Sequence, residues 1–268
     1  MKRLLLVAAI AASLAGCATT TSPTGRRQIV GGVSESQLAQ LGAQAFAETK
    51  AKTPQTKDAH QSAYVRCVVQ QVVAQLPPDW QRLSWETAVF VDSSPNAFAL
   101  PGGKVGVNTG IFTVAKNQDQ LAAVVAHEVG HVYSHHHDER ITRQLQAQFG
   151  LNVAAAILGG RYGEGAANAT SQLGGIAAQT LFLLPNSRTQ ESEADVVGQQ
   201  LMARAGFDPR QAVDLWENMI AASRSRPPEF LSTHPNPEAR IQELGNRAAS
   251  LVPVYQQARS SGHTPRCG

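Results

Sequence analysis

A short pattern of two histidines and one glutamate gives the first indication of chemistry. The residues His127-Glu128-Val129-Gly130-His131 form an H-E-x-x-H motif. In an α-helix of about 3.6 residues per turn, side chains four positions apart leave the same face about one turn apart. His127 and His131 could therefore bind one zinc ion, and Glu128 would activate a zinc-bound water. The alternative is a half-buried helix whose histidines are only hydrogen-bonded.

A catalytic zinc ion also needs a third protein ligand and an open position for water. Glu191 and Asp195 lie four residues apart on a predicted helix, so their carboxylates share one face. One of them can bind the metal while the other orients a motif histidine through its second ring nitrogen. Glu193 would point away from this face and is expected to be solvated. Glu164 lies in a glycine-rich stretch, which would hold a ligand poorly.

Three further histidines, His135-His136-His137, follow the motif. His135 continues the face of His127 and His131, but it would lie about 6 Å beyond His131 along the helix axis. We therefore expect this run to be a solvated helix end, where positive charge is favourable.

The elements that position these residues are predicted to be mainly helices. Apolar residues surround the motif at helical spacing and would place its helix in a core. Asn117, followed three residues later by Gln120, resembles a capping box and predicts the start of that helix. Further helices are predicted over residues 35–76, 140–157, 170–183 and 187–205, and after the pairs Asp208-Pro209 and Asn236-Pro237.

Two stretches before the motif predict β-structure. Residues 85–91 alternate between apolar and polar types, and residues 98–100 and 105–107 flank a Pro-Gly-Gly turn that indicates a hairpin. An extended peptide could pair with the backbone of a free strand edge in this hairpin. The alternative is a core element that binds no ligand. The residues expected to form the substrate edge are Val105, Gly106, Val107 and Asn108.

The N-terminus has the layout of an exported lipoprotein. Lys2 and Arg3 precede an apolar stretch over residues 4–14, which is too short to span a membrane and is typical of a signal peptide. Residues 14–17, Leu-Ala-Gly-Cys, resemble a bacterial lipobox, which predicts removal of residues 1–16 and acylation of Cys17, for example with palmitate. A plain signal peptide with a chance cysteine is the alternative. Ala18 resembles the residue found after the cysteine in lipoproteins sorted to the outer membrane.

The length and composition of the chain are consistent with one compact domain. The chain has 268 residues, of which 43% are hydrophobic, and this is enough for one compact domain of roughly 250 residues. Its formal charge is +3, or +1 once Lys2 and Arg3 are removed, and no basic stripe is visible, so we expect no nucleic-acid binding. Residues 17–34, which are rich in Thr, Ser, Pro and Gly, predict a flexible tether. The domain would span residues 35–252, followed by an irregular polar tail over residues 253–268.

The cysteines depend on the same prediction of export. If Cys17 is acylated, Cys67 and Cys267 remain as one pair in an oxidising compartment. They would form a disulfide between the start of the domain and its last residues. Two free thiols are the alternative.

A series of motifs along the chain resembles a known family. They are residues 96–105 (Asn-Ala-Phe-Ala-Leu-Pro-Gly-Gly-Lys-Val), Thr109-Gly110, the H-E-x-x-H helix, Ser187-Arg188, the E-x-x-x-D pair at 191 and 195, Gly198 and Thr233-His234-Pro235. In this order they resemble the zinc metallopeptidase family that contains the CAAX prenyl endopeptidase, HtpX and BepA. The layout is most similar to its soluble outer-membrane lipoprotein members (LoiP-like). The resemblance covers about residues 60–250.

This resemblance implies an α+β, mostly α, zincin-type (gluzincin) domain with a small β-sheet or hairpin beside the active-site helix. It also implies one Zn²⁺ per chain, bound by His127, His131 and Glu191, with Asp195 orienting a ligand. His234 of the His-Pro element would be either a removable fourth zinc ligand in a latent state or a catalytic group that stabilises the oxyanion. The alternative for His234 is a simple cap of the following helix.

The function implied is a zinc-dependent endopeptidase that cleaves unfolded or misassembled envelope proteins. It would be lipid-anchored in the outer membrane and face the periplasm. The second hypothesis is a latent protease that acts mainly as a chaperone or assembly scaffold for outer-membrane proteins. In that case the outer-membrane assembly machinery or another protease would be its partner. A structural zinc protein with four closed ligands is the third hypothesis.

Overall fold

A computed structural model describes residues 18–159, 185–223, 233–234 and 237–268. These ranges are mostly helical and contain two small sheets, which confirms the predicted fold class. In chain order the elements are β1 (Ala18–Thr21), β2 (Arg27–Val30), α1 (Glu35–Lys52), α2 (Ala59–Val73), α3 (Pro78–Gln81), β3 (Glu86–Phe90), β4 (Ala97–Leu100), β5 (Lys104–Asn108), a 3-10 helix (Thr109–Thr113), α4 (Gln118–Tyr133), α5 (His136–Gly159), α6 (Arg188–Arg204), α7 (Gln211–Ser223) and α8 (Pro237–Ser260).

Helix α4 carries the H-E-x-x-H motif through the centre of the core. Its first turn is capped as predicted, because the side chain of Asn117 accepts a 2.9 Å hydrogen bond from the backbone N–H of Gln120. Burial of each large apolar side chain on this helix contributes about 1.5–3 kcal/mol, so α4 is a rigid support for the motif. The fully buried apolar residues on it include Leu121, Val124, Val125 and Val129.

Helix α6 packs against α4 at the position of two glycines. A Cβ atom at Gly198 would lie 2.8 Å from the backbone nitrogen of His127, and one at Gly130 would lie 3.0 Å from the carbonyl oxygen of Ala194. Side chains at these positions would push the two helices apart. Glycine therefore lets the backbones approach closely, and the first turn of α6 comes to lie beside the histidines of α4.

The larger sheet corrects the prediction of a substrate edge. β4 and β5 pair antiparallel around the turn, which confirms the hairpin, but β3 pairs parallel with the other side of β5. β5 is therefore the central strand, and the prediction that Val105, Gly106, Val107 and Asn108 form a free edge is wrong. The physical reason is that β3, the strand directly before the hairpin in the chain, pairs with the second row of backbone groups on β5. β4 lies at the edge of this sheet and packs against α4.

The N-terminal segment also differs from its prediction. Residues 18–34 are not a flexible tether, because β1 and β2 pair as an antiparallel hairpin. This hairpin docks on the start of α5. The backbone N–H of Gly31 donates to the carboxylate of Asp138 at 3.0 Å, and that of Gly32 donates to the hydroxyl of Thr142 at 2.8 Å. The folded unit thus includes residues that were predicted to lie outside the domain.

Two helix predictions require smaller corrections. The helix predicted over residues 35–76 is interrupted, because the carbonyl of Pro54 accepts a bond from Val91 at the end of β3. The predicted tail is irregular only after Ser260, since α8 continues through Pro253.

Cys67 and Cys267 form a disulfide with a Cα–Cα distance of 5.4 Å, which ties the last residues to α2.

Other predictions fall on parts of the chain that the structure does not describe. These are the signal segment, Cys17, Glu164 and the helix predicted over residues 170–183. None of the helices in the described ranges combines the length and the hydrophobicity needed to cross a bilayer.

Candidate metal centre

Three elements bring four metal-binding side chains together. His127 and His131 project from α4, Glu191 lies in the first turn of α6, and His234 lies between α7 and α8. A capping box of Ser187 and Gln190 starts α6 and fixes the position of that turn. One potential ligand atom from each of the four side chains lies within 4.8 Å of the others, and all four side chains are buried.

The distances within this cluster fit a tetrahedral zinc site. The Nε2 atoms of His127 and His131 lie 3.0 Å apart, and they lie 3.5 and 3.3 Å from the two carboxylate oxygens of Glu191. Ligand bonds of about 2.1 Å at tetrahedral angles would place donor atoms about 3.4 Å apart. The three residues predicted as ligands can therefore share one ion, and a set of two imidazoles and one carboxylate is typical of catalytic zinc.

The second nitrogen of His127 is held by a carboxylate. Its Nδ1 lies 3.0 Å from Oδ1 of Asp195, which is the orienting contact predicted for this aspartate. Asp195 is in turn bound through both oxygens by Arg240, with two distances of 2.6 Å. Arg240 also places Nη1 2.6 Å from Oε2 of Glu191 and stacks its guanidinium group on Trp216 at 3.9 Å. Arg240 therefore stabilises both the metal ligand Glu191 and Asp195, the residue that orients the metal ligand His127.

Arg240 was not predicted from the sequence, although a signal existed. It lies in the first turn of α8, where the positive end of the helix dipole makes a basic side chain unfavourable. A nearby anion offsets that cost, and in the fold the acidic pair on α6 provides it. The sequence does not show that the two helices meet.

Glu128 and His234 face each other across the cluster. Oε1 of Glu128 lies 3.3 Å from Nε2 of His234, and the ring of His234 lies 5.1 Å from that of His127. The hydroxyl of Thr233 is 2.9 Å from the other nitrogen of His234, and the carbonyl of Thr233 accepts a bond from Asn186 just before α6. The structure therefore places His234 at the metal centre and ties it to the start of α6.

The other acidic and histidine predictions require correction. Glu193 is buried, with 5% of its surface exposed, and His136 is fully buried. Nδ1 of His131 lies 2.8 Å from Nδ1 of His136, and Nε2 of His136 lies 3.0 Å from Oε2 of Glu193. His137 is also buried, whereas His135 is half-buried and adopts a left-handed backbone with φ of 55°. This left-handed residue ends α4 and turns the next two histidines inward, so the run is not a solvated helix end.

The charges around the cluster favour a bound cation. Burial and the nearby guanidinium of Arg240 oppose protonation of His127, but Asp195 and Glu191 outweigh them and raise the pKa of His127 to about 9. Burial would raise the pKa of Glu191, yet the surrounding histidines hold it well below its usual range. Burial acts in the same direction on Asp195, and Arg240 lowers the pKa of that carboxyl to about 2. The site thus keeps two buried carboxylates ionised beside its imidazoles.

Comparisons with known proteins agree with this geometry. Residues 59–248 match the model of peptidase family M48. The chain is 40% identical to mitochondrial metalloendopeptidase OMA1 of Schizosaccharomyces pombe over 183 residues, which is 68% of this chain and 51% of that protein. It is 35% identical to the beta-barrel assembly-enhancing protease of Escherichia coli over 172 residues, which is 61% of this chain and 34% of that protein.

The match to OMA1 of Arabidopsis thaliana is 33% identity over 66% of this chain and 35% of that protein. The chain therefore spans between about a third and a half of the length of these relatives. Zinc is the metal that M48 metallopeptidases use, and the donor set of His127, His131 and Glu191 suits it. The family match covers most of the chain and includes every residue of the metal centre, so this protein belongs to peptidase family M48, the zinc metallopeptidases.

Proposed function

We propose that this protein is a zinc-dependent endopeptidase that cleaves unfolded or misassembled proteins of the bacterial envelope. The geometry that supports it is the convergence of His127, His131 and Glu191 on one point, with the carboxylate of Glu128 beside them. The name of the beta-barrel assembly-enhancing relative supports an envelope role. The OMA1 relatives are named as mitochondrial, so the location rests on the export pattern of residues 1–17. That pattern favours a lipid anchor at Cys17 in the outer membrane.

Hydrolysis would follow from the chain's own residues around the metal. His127, His131 and Glu191 would hold zinc, which supplies Lewis-acid activation of a water molecule and of the scissile carbonyl. Glu128 would accept a proton from the water molecule while the water oxygen attacks the carbonyl carbon of the scissile bond. It would then deliver that proton to the amide nitrogen as the carbon–nitrogen bond breaks. Asp195 would keep the imidazole of His127 oriented during this cycle.

The substrate would lie along β4 rather than along β5. β4 is an edge strand of the larger sheet and packs against α4, so an extended peptide would pair with its outer backbone groups beside the motif helix. Pairing through the backbone recognises an unfolded chain more than a particular sequence. This mode of binding suits a protease that removes misassembled proteins.

Zinc content and proteolysis of the purified full chain test the proposal together. We expect one zinc per chain and cleavage of casein, an unfolded substrate. Chelation should abolish the cleavage, and added Zn²⁺ should restore it. A folded, zinc-loaded chain that cleaves neither casein nor short unstructured peptides would contradict the proposal and favour either a latent protease or a structural zinc site.

The position of His234 favours a second candidate, a latent protease that serves mainly as a chaperone or assembly scaffold. A fourth donor within 4.8 Å of the other three could complete the coordination of the metal. Cells that carry only Glu128→Gln distinguish the two functions. A scaffold keeps its role in outer-membrane assembly after this change, whereas a protease loses it.

A further inference from the structure

The two metal-binding histidines are supported in different ways. His127 contacts a carboxylate directly, through Asp195. His131 contacts a second histidine, His136, which then contacts the carboxylate of Glu193. A carboxylate that orients a metal-bound histidine is common, but here an additional imidazole lies between them. We refer to His136 and Glu193 together as the longer support of His131. The mechanism described above does not use it.

The donors and acceptors of the longer support can be assigned in one consistent way when metal is bound. Nε2 of His131 faces the cluster, so a bound metal takes its lone pair and Nδ1 must carry the proton. Nδ1 of His136 then accepts that proton's hydrogen bond at 2.8 Å, which requires Nε2 of His136 to carry its own proton. Glu193, as a carboxylate, can only accept, and its Oε2 lies 3.0 Å away. Each step fixes the tautomer of the next ring.

The N-terminal hairpin holds the far end of this support. Nε of Arg26 donates to Oε2 of Glu193 at 2.8 Å, and the hydroxyls of Ser22 and Thr24 donate to its other oxygen. The two terminal nitrogens of Arg26 bind both oxygens of Glu139 on α5 at 2.9 Å each. Arg26 therefore clamps two carboxylates at once, and it comes from a segment 167 residues away from Glu193.

We propose that the N-terminal hairpin is part of the metal centre, and that Arg26, Glu193 and His136 act as positioning residues that hold His131 in its metal-binding tautomer and orientation. The inference rests on the metal-centre part of the proposed function. It goes beyond that function because it assigns a role in zinc affinity to a segment outside the peptidase family match.

The alternative is that these residues only fill space and stabilise the fold. Partners of metal-bound histidines typically change metal affinity by about 10–100-fold when they are removed, whereas filling of space makes no such prediction. The two explanations therefore differ in the zinc dissociation constant of the folded protein, which does not depend on any assay of proteolysis.

Variants of His136 test the support itself. His136→Leu replaces the imidazole with an apolar side chain of similar size. Leucine neither accepts a hydrogen bond from His131 nor donates one to Glu193. We expect it to weaken zinc binding by about 10–100-fold in competition with a chromogenic chelator. His136→Gln keeps one acceptor and one donor, so it should lose less affinity than His136→Leu. The visible absorption spectrum of the Co²⁺-substituted protein should shift in His136→Leu, because the orientation of His131 changes. Equal zinc affinity and equal spectra in the folded variants would overturn the proposal.

Arg26 tests the contribution of the hairpin and remains informative if His136→Leu does not fold. Arg26 is partly exposed, and the adjacent Arg27 is an exposed arginine on the same hairpin. In the full chain we expect Arg26→Ala to weaken zinc binding several-fold and Arg27→Ala to leave it unchanged. Wild-type affinity in Arg26→Ala would show that the hairpin is not part of the metal centre. Failure of the unaltered chain to bind zinc would instead refute the proposed function, so the two failures are distinguishable.

Discussion

Arg240 and Asp195 form a buried, two-point ion pair directly behind the metal centre. Nε and Nη2 of the arginine each lie 2.6 Å from a different oxygen of the aspartate. The planar guanidinium group matches the carboxylate in a way that an ammonium group cannot. Nη1, the third nitrogen of Arg240, also contacts the metal ligand Glu191. Arg240 therefore links α8 both to a metal ligand and to Asp195, which orients His127.

Arg240→Ala should destabilise the protein strongly. The change leaves the buried carboxylates of Asp195 and Glu191 without their cation, and the loss of one partner from a buried ion pair costs about 3–5 kcal/mol. We expect this decrease in the free energy of unfolding by urea, and Arg240→Lys should recover only part of it. Arg204, which is exposed on α6, provides the control variant Arg204→Ala. An unfolding free energy for Arg240→Ala equal to that of the control would contradict the expectation.

Glu128→Gln should separate catalysis from metal binding. The amide keeps the size of the side chain but cannot accept and transfer a proton, a role that is typically worth about 10²–10⁴-fold in rate. We expect kcat/KM for an unfolded substrate to fall within or beyond this range while the zinc content stays at the wild-type level. Glu217→Gln on the exposed face of α7 is the matched control. If Glu128→Gln loses zinc as well, Glu128 supports the metal rather than the proton transfer.

His234→Ala should increase peptidase activity. The structure places His234 among the metal-binding groups and 3.3 Å from Glu128, where it would block the approach of water and substrate in a latent state. Initial rates of casein cleavage at matched zinc content measure the effect. Lower activity would assign His234 to catalysis as an oxyanion-stabilising group, and unchanged activity would leave it with the capping role alone.

The contribution of Arg26 to stability should depend on pH. Burial would raise the pKa of Glu139, but bonds from Arg26, Arg143 and Gln190 outweigh it and lower that pKa to about 2. A carboxyl group whose pKa is lower in the folded than in the unfolded state stabilises the fold above its unfolded pKa, about 4.3, and this stabilisation is lost as the pH falls toward 2. The difference in unfolding free energy between wild type and Arg26→Ala should therefore be largest above pH 5 and should shrink in acid. A difference that stays constant with pH would mean that Arg26 stabilises the fold by packing alone.

Loss of the disulfide should lower the melting temperature. The bond between Cys67 and Cys267 closes a loop of 200 residues, and in the chain-entropy model this contributes at most about 5 kcal/mol. We expect the double variant Cys67→Ser/Cys267→Ser to melt at a lower temperature than the oxidised wild type. A reductant should lower the melting temperature of the wild type to a similar value and leave the variant unchanged. A reductant effect on the variant would show that the reductant acts elsewhere, for example on the metal.

Some parts of the site could be predicted from the sequence because they depend on local periodicity. The motif helix, its cap at Asn117 and the shared face of Glu191 and Asp195 all follow from residues within one or two helical turns. The two histidine ligands could be proposed for the same reason, since two histidines four residues apart restrict the chemistry strongly. The choice of Glu191 rather than Asp195 as the third ligand came from the resemblance to the family. The hairpin of β4 and β5 was equally local, because its turn residues lie between its strands.

The tertiary structure decided which segments meet. β5 proved to be a central strand because β3, which precedes the hairpin, pairs with its second side, and the local pattern of the hairpin does not indicate that partner. Glu193 and His136 are buried because Arg26 and its hairpin cover them, and Arg240 reaches Asp195 from 45 residues away. An isolated segment with these polar residues has the pattern of a solvated surface. Burial of a charge depends on whether a distant partner compensates its lost hydration, so only the folded chain determines it.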